Sequence, residues 1–181
     1  MDASVAASLM KWPNVPDCYG WLHLDAQGQW RMGERAAGEP EPGRVAHAGL
    51  RGFINRNYLC PSPSPHDGAW ALQNGPQRVW VSLALAPLIA RFHGGVLTAH
   101  TGAELEPSAL YLTDAGVMYM QTPLGAAALE SASMLAFSEC IVGDSHWLQS
   151  PAHAVLALQP CADDAVAQRL GFDRNPTQAS G

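Results

Sequence analysis

Lysine is almost missing from this chain. Lys11 stands alone, and arginine supplies the rest of the 10 basic residues, set against 16 acidic ones for a net charge of −6. That balance argues against nucleic acid or an anionic membrane surface as the main partner, since both need clustered cations. Long apolar runs are missing too, and nothing approaches the ~20 residues that a membrane span requires. Residues 1–10 carry Asp2 and no basic stretch, so they do not read as a signal peptide. Cysteine is scarce: Cys18, Cys60, Cys140 and Cys161 form no C-x-x-C pair and are too few for a disulfide scaffold. Reduced thiols and a cytoplasmic location are the expectation. What is plentiful is apolar surface, with 48% hydrophobic residues and 14% charged ones, which excludes a disordered chain. A chain of 181 residues buries roughly two-thirds of its unfolded surface, enough for a core without crosslinks.

Two stretches repeat one order of signals. Gly20 to Met32 and Ala109 to Met120 each consist of two alternating runs around an Asp-containing turn, Asp25-Ala-Gln-Gly28 and Asp114-Ala-Gly116. Alternation is the period of a half-buried strand, and Asp and Gly supply the turn, so each reads as a β-hairpin. A helical pattern follows each hairpin. Leu50, Phe53, Ile54 and Tyr58 mark the first, near 45–58, and Leu129, Ala132, Ser133, Ala136, Phe137, Cys140 and Ile141 mark the second, near 126–141. A second strand pair then follows each helix, Trp70 to Pro87 turning on Asn74-Gly75, and Trp147 to Pro160 turning on Ser150-Pro151.

The fold expected is α+β, a tandem duplication of a ββαββ unit with helices packed on antiparallel sheets. Residues 1–16 form an extended N-terminal segment on the strength of Pro13 and Pro16. The first unit covers 17–87, a connecting hairpin on Gly94-Gly95 covers 88–106, and the second unit covers 107–162. Residues 163–181 hold a short helix, capped by Asp163 and stopped by Gly171, and a frayed tail.

The order W-x-x-x-D-x-x-G-x-W, a helix, then Gly68-Ala-Trp70 to Pro76 is carried by Trp21, Asp25, Gly28 and Trp30. It resembles bacterial conserved families of unknown function built on duplicated α+β motifs. The resemblance implies a non-enzymatic or regulatory role, signal transduction among the possibilities, and brings no active site with it.

Catalytic patterns are sparse. Gly143-Asp144-Ser145-His146 has the look of a G-D-S esterase block, but it follows a helix and precedes a strand, whereas a nucleophile elbow runs from strand to helix. A polar turn accounts for it. Among His23, His47, His66, His93, His100, His146 and His153, no two stand three or four apart on a helix, and no cysteine completes a zinc set. Nothing matches G-x-x-x-x-G-K or G-x-G-x-x-G. No metal or cofactor is therefore expected. The prolines of Cys60 to Gly68 mark either a recognition loop or a tolerated surface insertion.

If there is a binding site, the polar face of the first helix is the expectation. His47, Arg51 and Asn55 are spaced i, i+4, i+8, with Arg56 beside them. Arginine forks next to an imidazole and an amide suit a carboxylate or phosphate. An ordinary solvated helix face is the plainer reading of the same row. The leading function is thus a binding or regulatory module for a protein or a small anionic ligand. The alternatives are a small hydrolase using His47 or the Asp144-Ser145-His146 block, and an assembly component that associates through strand edges.

Overall fold

The computed structural model describes residues 1–12, 14–35, 41–62, 64, 66–142, 147–150 and 153–178. The Asp144-Ser145-His146 block, Pro63 and Pro65 lie outside them. The chain is α+β and divides into two compact units. Unit 1 takes Met1–Asp25, Gln29–Ala84 and Asp173–Gly181, and unit 2 takes Ala26–Gly28 and Leu85–Phe172.

Unit 1 runs α1 (Ala3–Lys11), β1 (Cys18–Leu24), β2 (Trp30–Met32), β3 (Gly43–Arg44), α2 (Ala48–Asn57), β4 (Tyr58–Leu59), β5 (Ala71–Asn74) and β6 (Gln77–Leu83). Its first residues are helical, not extended. A proline restrains only the residue before it: Trp12 leaves the helix at φ −133° and ψ 73°, while residues 3–11 are mostly good helix formers. The first hairpin forms as read, with Gln29 N donating to Asp25 Oδ1 at 2.8 Å across the turn. The hairpin of β5 and β6 turns one residue later than Asn74-Gly75, on Gly75-Pro76, and Gly75 supplies φ +59°. Six strands form one sheet in the order β3-β2-β1-β6-β5-β4.

Unit 2 runs β7 (Leu88–His93), β8 (Val96–Ala99), β9 (Ala109–Thr113), β10 (Met118–Thr122), β11 (Gly125–Leu129), α3 (Met134–Ser138), β12 (Ile141–Val142), β13 (Trp147–Ser150), β14 (His153–Cys161) and α4 (Val166–Leu170). Its sheet reads β12-β13-β14-β9-β10-β11-β7-β8. The hairpin on Gly94-Gly95 is present, and its β7 joins this sheet by pairing parallel with β11.

The helix expected at 126–141 shrinks to Met134–Ser138, after a 3₁₀ turn at Ser131–Ser133. Ala126 to Leu129 is a strand paired on both sides and buried throughout. A strand buried on both faces loses its alternation, and its apolar run then mimics a helix stripe. The sheets are mixed, not antiparallel: β1 pairs parallel with β6, and β9 with β14. Local alternation fixes which face a side chain takes, but it cannot say which hairpin becomes the neighbour. Each expected ββαββ unit therefore gains a short strand on either side of its helix. Asp163 does not cap α4, whose N-cap is Ala165, whereas Gly171 does end it at φ +68°. The tail is not frayed at its start, because Leu83 N donates to Arg174 O at 2.8 Å.

The core of unit 1 centres on Leu22, Leu24, Trp30, Ile54, Trp80 and Val81, and that of unit 2 on Ile89, Leu97, Leu110, Met118, Tyr119 and Phe137. Each of the four cysteines is a free thiol. Among the described residues, no helix is long and apolar enough to cross a membrane.

Candidate functional site

The row expected on the first helix is present on α2, and each of its members has a partner within unit 1. His47 is the N-cap, its Nδ1 accepting from Leu50 N at 3.1 Å. Arg51 Nη1 donates to the carbonyls of Val45, at 3.2 Å, and Ala46. Asn55 Oδ1 accepts from the Trp30 indole at 2.7 Å. Arg56 grips both carboxylate oxygens of Asp2 at 3.1 and 3.3 Å, holding that carboxyl below its usual range. Asn57 is fully buried and receives Asp2 N on its Oδ1 at 2.7 Å. The four side chains therefore cap α2, brace the chain entering it, and tie it to β2 and α1.

A second constellation lies across the middle of the same sheet. In β1, Cys18 opposes Val79 but Leu22 opposes Val81, so β1 spends four residues where β6 spends two. Gly20, at φ +69°, absorbs that bulge. Beyond it His23 stands directly opposite Ser82 on the neighbouring parallel strand. His23 is 95% buried, with a relative exposure of 5%. Its Nε2 lies 2.9 Å from Gly33 O, and since a carbonyl only accepts, Nε2 carries the proton. Nδ1 is then a bare acceptor in the neutral ring, and it is buried with no hydrogen-bond partner among the described residues.

His23 lines a cavity of about 370 Å³ together with Tyr19, Gly20, Arg35, Ser82 and Asn175 to Gln178. A smaller space of about 20 Å³ adjoins His23, Asp25, Arg31 and Ser82, enough for a single water. Beside the larger cavity, Tyr19 Oη and His66 Nε2 are hydrogen-bonded at 3.0 Å, and both rings lie against Trp80. The Trp80 indole in turn donates to Asp17 at 2.8 Å. Burial, followed by the Asp17 charge, pushes the Tyr19 phenol up, so it keeps its proton at neutral pH. The cavity is thus lined by the hydroxyl-bearing Tyr19 and Ser82, by Arg35 and by His23, whose unanswered imidazole nitrogen is buried. Arg35 also pairs with Glu41 at 2.9 Å, with both side chains more than half exposed.

Sequence reading missed this group for a definite reason. His23 alternates with Leu22 and Leu24, and the alternation of a half-buried strand does not announce that both faces are covered. The returning segment from Asp173 helps to cover the face of His23, and nothing local announces it. Gly20 inside a strand pattern was the available signal, because an interior strand glycine marks a bulge. Among the described residues, no three His, Cys, Asp or Glu side chains come together as a metal site.

A family pattern described as "Protein of unknown function (DUF2946)" matches residues 1–177. The chain belongs to that family. The fold is similar to the crystal structure of a DUF1285 family protein from Silicibacter pomeroyi DSS-3, at 12% identity and TM-score 0.50 over 88% of this chain and 96% of that one. A DUF1285 family protein from Shewanella baltica OS155 is similar at 17% identity and TM-score 0.44, over 66% of this chain and 91% of that one. No curated protein matches the sequence. The family and the first neighbour agree with a conserved family of unknown function, and that likeness extends to the fold alone.

Proposed function

We propose that this chain is a non-enzymatic binding module, built by tandem duplication, whose unit 1 cavity takes a small anionic molecule bearing a hydroxyl or amino group. The observation that carries the reading is His23, a buried imidazole with an unanswered acceptor on a cavity of about 370 Å³. That volume is within the usual range of small-molecule sites. Arg35 supplies charge for a carboxylate or phosphate, Ser82 and Tyr19 supply hydroxyls, and a donor on the ligand answers His23 Nδ1. The binding reading is favoured over a Ser-His hydrolase because Ser82 and His23 share no hydrogen bond. His23 Nε2 is also oriented by a main-chain carbonyl where a catalytic relay uses a carboxylate.

Duplication is supported by strand order. Unit 1 reads β3-β2-β1-β6-β5-β4, and the corresponding six strands of unit 2 read β11-β10-β9-β14-β13-β12. A regulatory role is proposed only on the resemblance to bacterial conserved families. Free thiols on all four cysteines suit a reducing, cytoplasmic setting.

The test is a titration of the full chain with glycerol 3-phosphate, serine and acetate, read by ring-nitrogen NMR of His23. Glycerol 3-phosphate or serine should shift Nδ1, and acetate should act weakly. Ser82→Ala and Arg35→Ala should each weaken binding at least about fivefold. Unchanged binding in both variants, or a silent Nδ1, removes the proposal.

A second reading keeps the α2 row as a contact for an anionic partner. It is favoured by Arg56, whose side chain is 60% exposed while paired with Asp2. An anion competing with Asp2 would bind there and release α1. In that case Arg51→Ala and Arg56→Ala, and not Arg35→Ala, weaken the binding.

A further inference from the structure

The two units end their central parallel strand pairs in the same register but finish them differently. In unit 1 the last pairing is Leu24 with Leu83, immediately before the Asp25 turn. In unit 2 it is Thr113 with Cys161, immediately before the Asp114 turn. Unit 1 closes this place with its own chain. Leu83 N donates to Arg174 O at 2.8 Å, Asn175 lines what remains, and the space left is about 20 Å³. Arg31 neutralises Asp25 there, with Nε 2.8 Å from Oδ2.

Among the described residues, neither closure nor neutralisation recurs in unit 2. The strand ends there open onto a cavity of about 540 Å³, walled by Leu112, Leu158, Pro160 and Ala162 with the Cys161 thiol among them. Asp114 stands at this cavity, exposed, with Oδ1 accepting from Asp163 N at 3.0 Å. Arg31 occupies the position opposite His23 on β2, and the matching position opposite Leu112 on β10 is Met118, which is buried and uncharged. Among the described residues, no basic side chain forms an ion pair with Asp114. The site therefore keeps an apolar body and a carboxylate without its counter-charge.

We propose that this unit 2 cavity binds a small molecule with an apolar body and a protonated amine head, the amine pairing with Asp114. The volume suits a ligand of drug-like size, and the walls suit hydrocarbon or an aromatic ring. Opposite charge beside a low-dielectric wall selects an ammonium over a neutral or anionic head. This inference is independent of the unit 1 reading, because it uses neither His23 nor Arg35.

Cys161 provides a local reporter. In the full chain carrying Cys18→Ser, Cys60→Ser and Cys140→Ser, N-ethylmaleimide alkylation at a fixed pH of about 7 reads access to the cavity, since the thiolate is the reacting species. 4-Phenylbutylamine should slow that alkylation at least about fivefold, 4-phenylbutanol less, and 4-phenylbutyrate not at all. Asp114→Asn should bring the amine down to the level of the alcohol. Should the triple variant fold poorly, amide shifts of Leu112–Asp114 and Leu158–Ala162 in the unaltered chain read the same binding. Equal protection by amine and carboxylate, no protection by the amine, or amide shifts confined to other residues would overturn the proposal.

Discussion

The Trp30 indole N–H donates to Asn55 Oδ1 at 2.7 Å, so the most deeply buried side chain of β2 is answered by a residue of α2. Trp30 is 2% exposed, so its indole N–H depends on a protein acceptor. Asn55→Ala should therefore destabilise unit 1 by about 1–3 kcal/mol, the cost of an unanswered buried donor. Asn55→Asp, which keeps an acceptor, should cost less. Urea unfolding followed by tryptophan fluorescence checks both.

Asp2 and Arg56 form a bidentate pair that fastens α1 to α2. Arg56→Ala should leave the main unfolding transition near its original midpoint while speeding proteolysis within residues 3–11. The pH dependence has a fixed sign. The Arg56 and then the Asn57 hydrogen bonds hold Asp2 below its ordinary value of 3.8, so the fastening is present above that value. It is lost as the pH falls through the lowered one. Amide exchange in α1 at pH 5 and below pH 3 should differ in that direction, and Asp2→Asn should abolish the difference.

His100 behaves in the opposite way to a surface histidine. Burial, followed by the Arg91 charge, pushes it from 6.5 down to about 3, and its Nδ1 accepts from Ile89 N at 3.2 Å. The unfolded chain thus binds a proton that the folded chain refuses between those values. Stability is full above about pH 6.5 and falls as the pH drops toward 3, by up to about 1.4 kcal/mol per pH unit. His100→Asn keeps an acceptor near Ile89 and should flatten that slope in denaturant titrations.

Gly28→Ala should be among the more damaging small substitutions. Gly28 has φ +72°, and an added Cβ would lie 2.7 Å from His100 Cβ and 3.3 Å from Ile89 Cβ. Gly94, at φ +58°, meets nothing within 4 Å. Gly94→Ala should cost only the backbone term, about 1 kcal/mol, and Gly28→Ala clearly more. Thermal unfolding of the two variants side by side separates conformation from collision.

The legible parts of this fold were those written in short-range pattern. Asp25 with Gly28 and Asp114 with Gly116 announced their hairpins, and Leu50, Phe53 and Ile54 announced α2. Ala126 to Leu129 misled because burial on both faces removes the polar alternate that identifies a strand. The α2 row was visible as a polar stripe, but a stripe does not reveal that Arg51 faces two carbonyls or that Asn55 faces Trp30. His23 and Ser82 were out of reach, separated by 59 positions and brought opposite each other only by a parallel pairing. Arg174, whose carbonyl closes the end of β6, is more distant still from its partner.

That closing bond also sets an order of events during synthesis. Residues from Asp173 onward belong to unit 1, yet they leave the ribosome after the whole of Leu85–Phe172. At a rate of roughly 5–20 residues per second, the nascent first sheet waits several seconds with Leu83 N uncapped and the wall by Ser82 and His23 unfinished. Unit 2 can fold in that interval from a nearly continuous stretch. The N-terminal half is thus begun first and completed last, and a fragment that stops at Ala84 lacks the bond that ends β6 and the residues from Asp173 that complete unit 1.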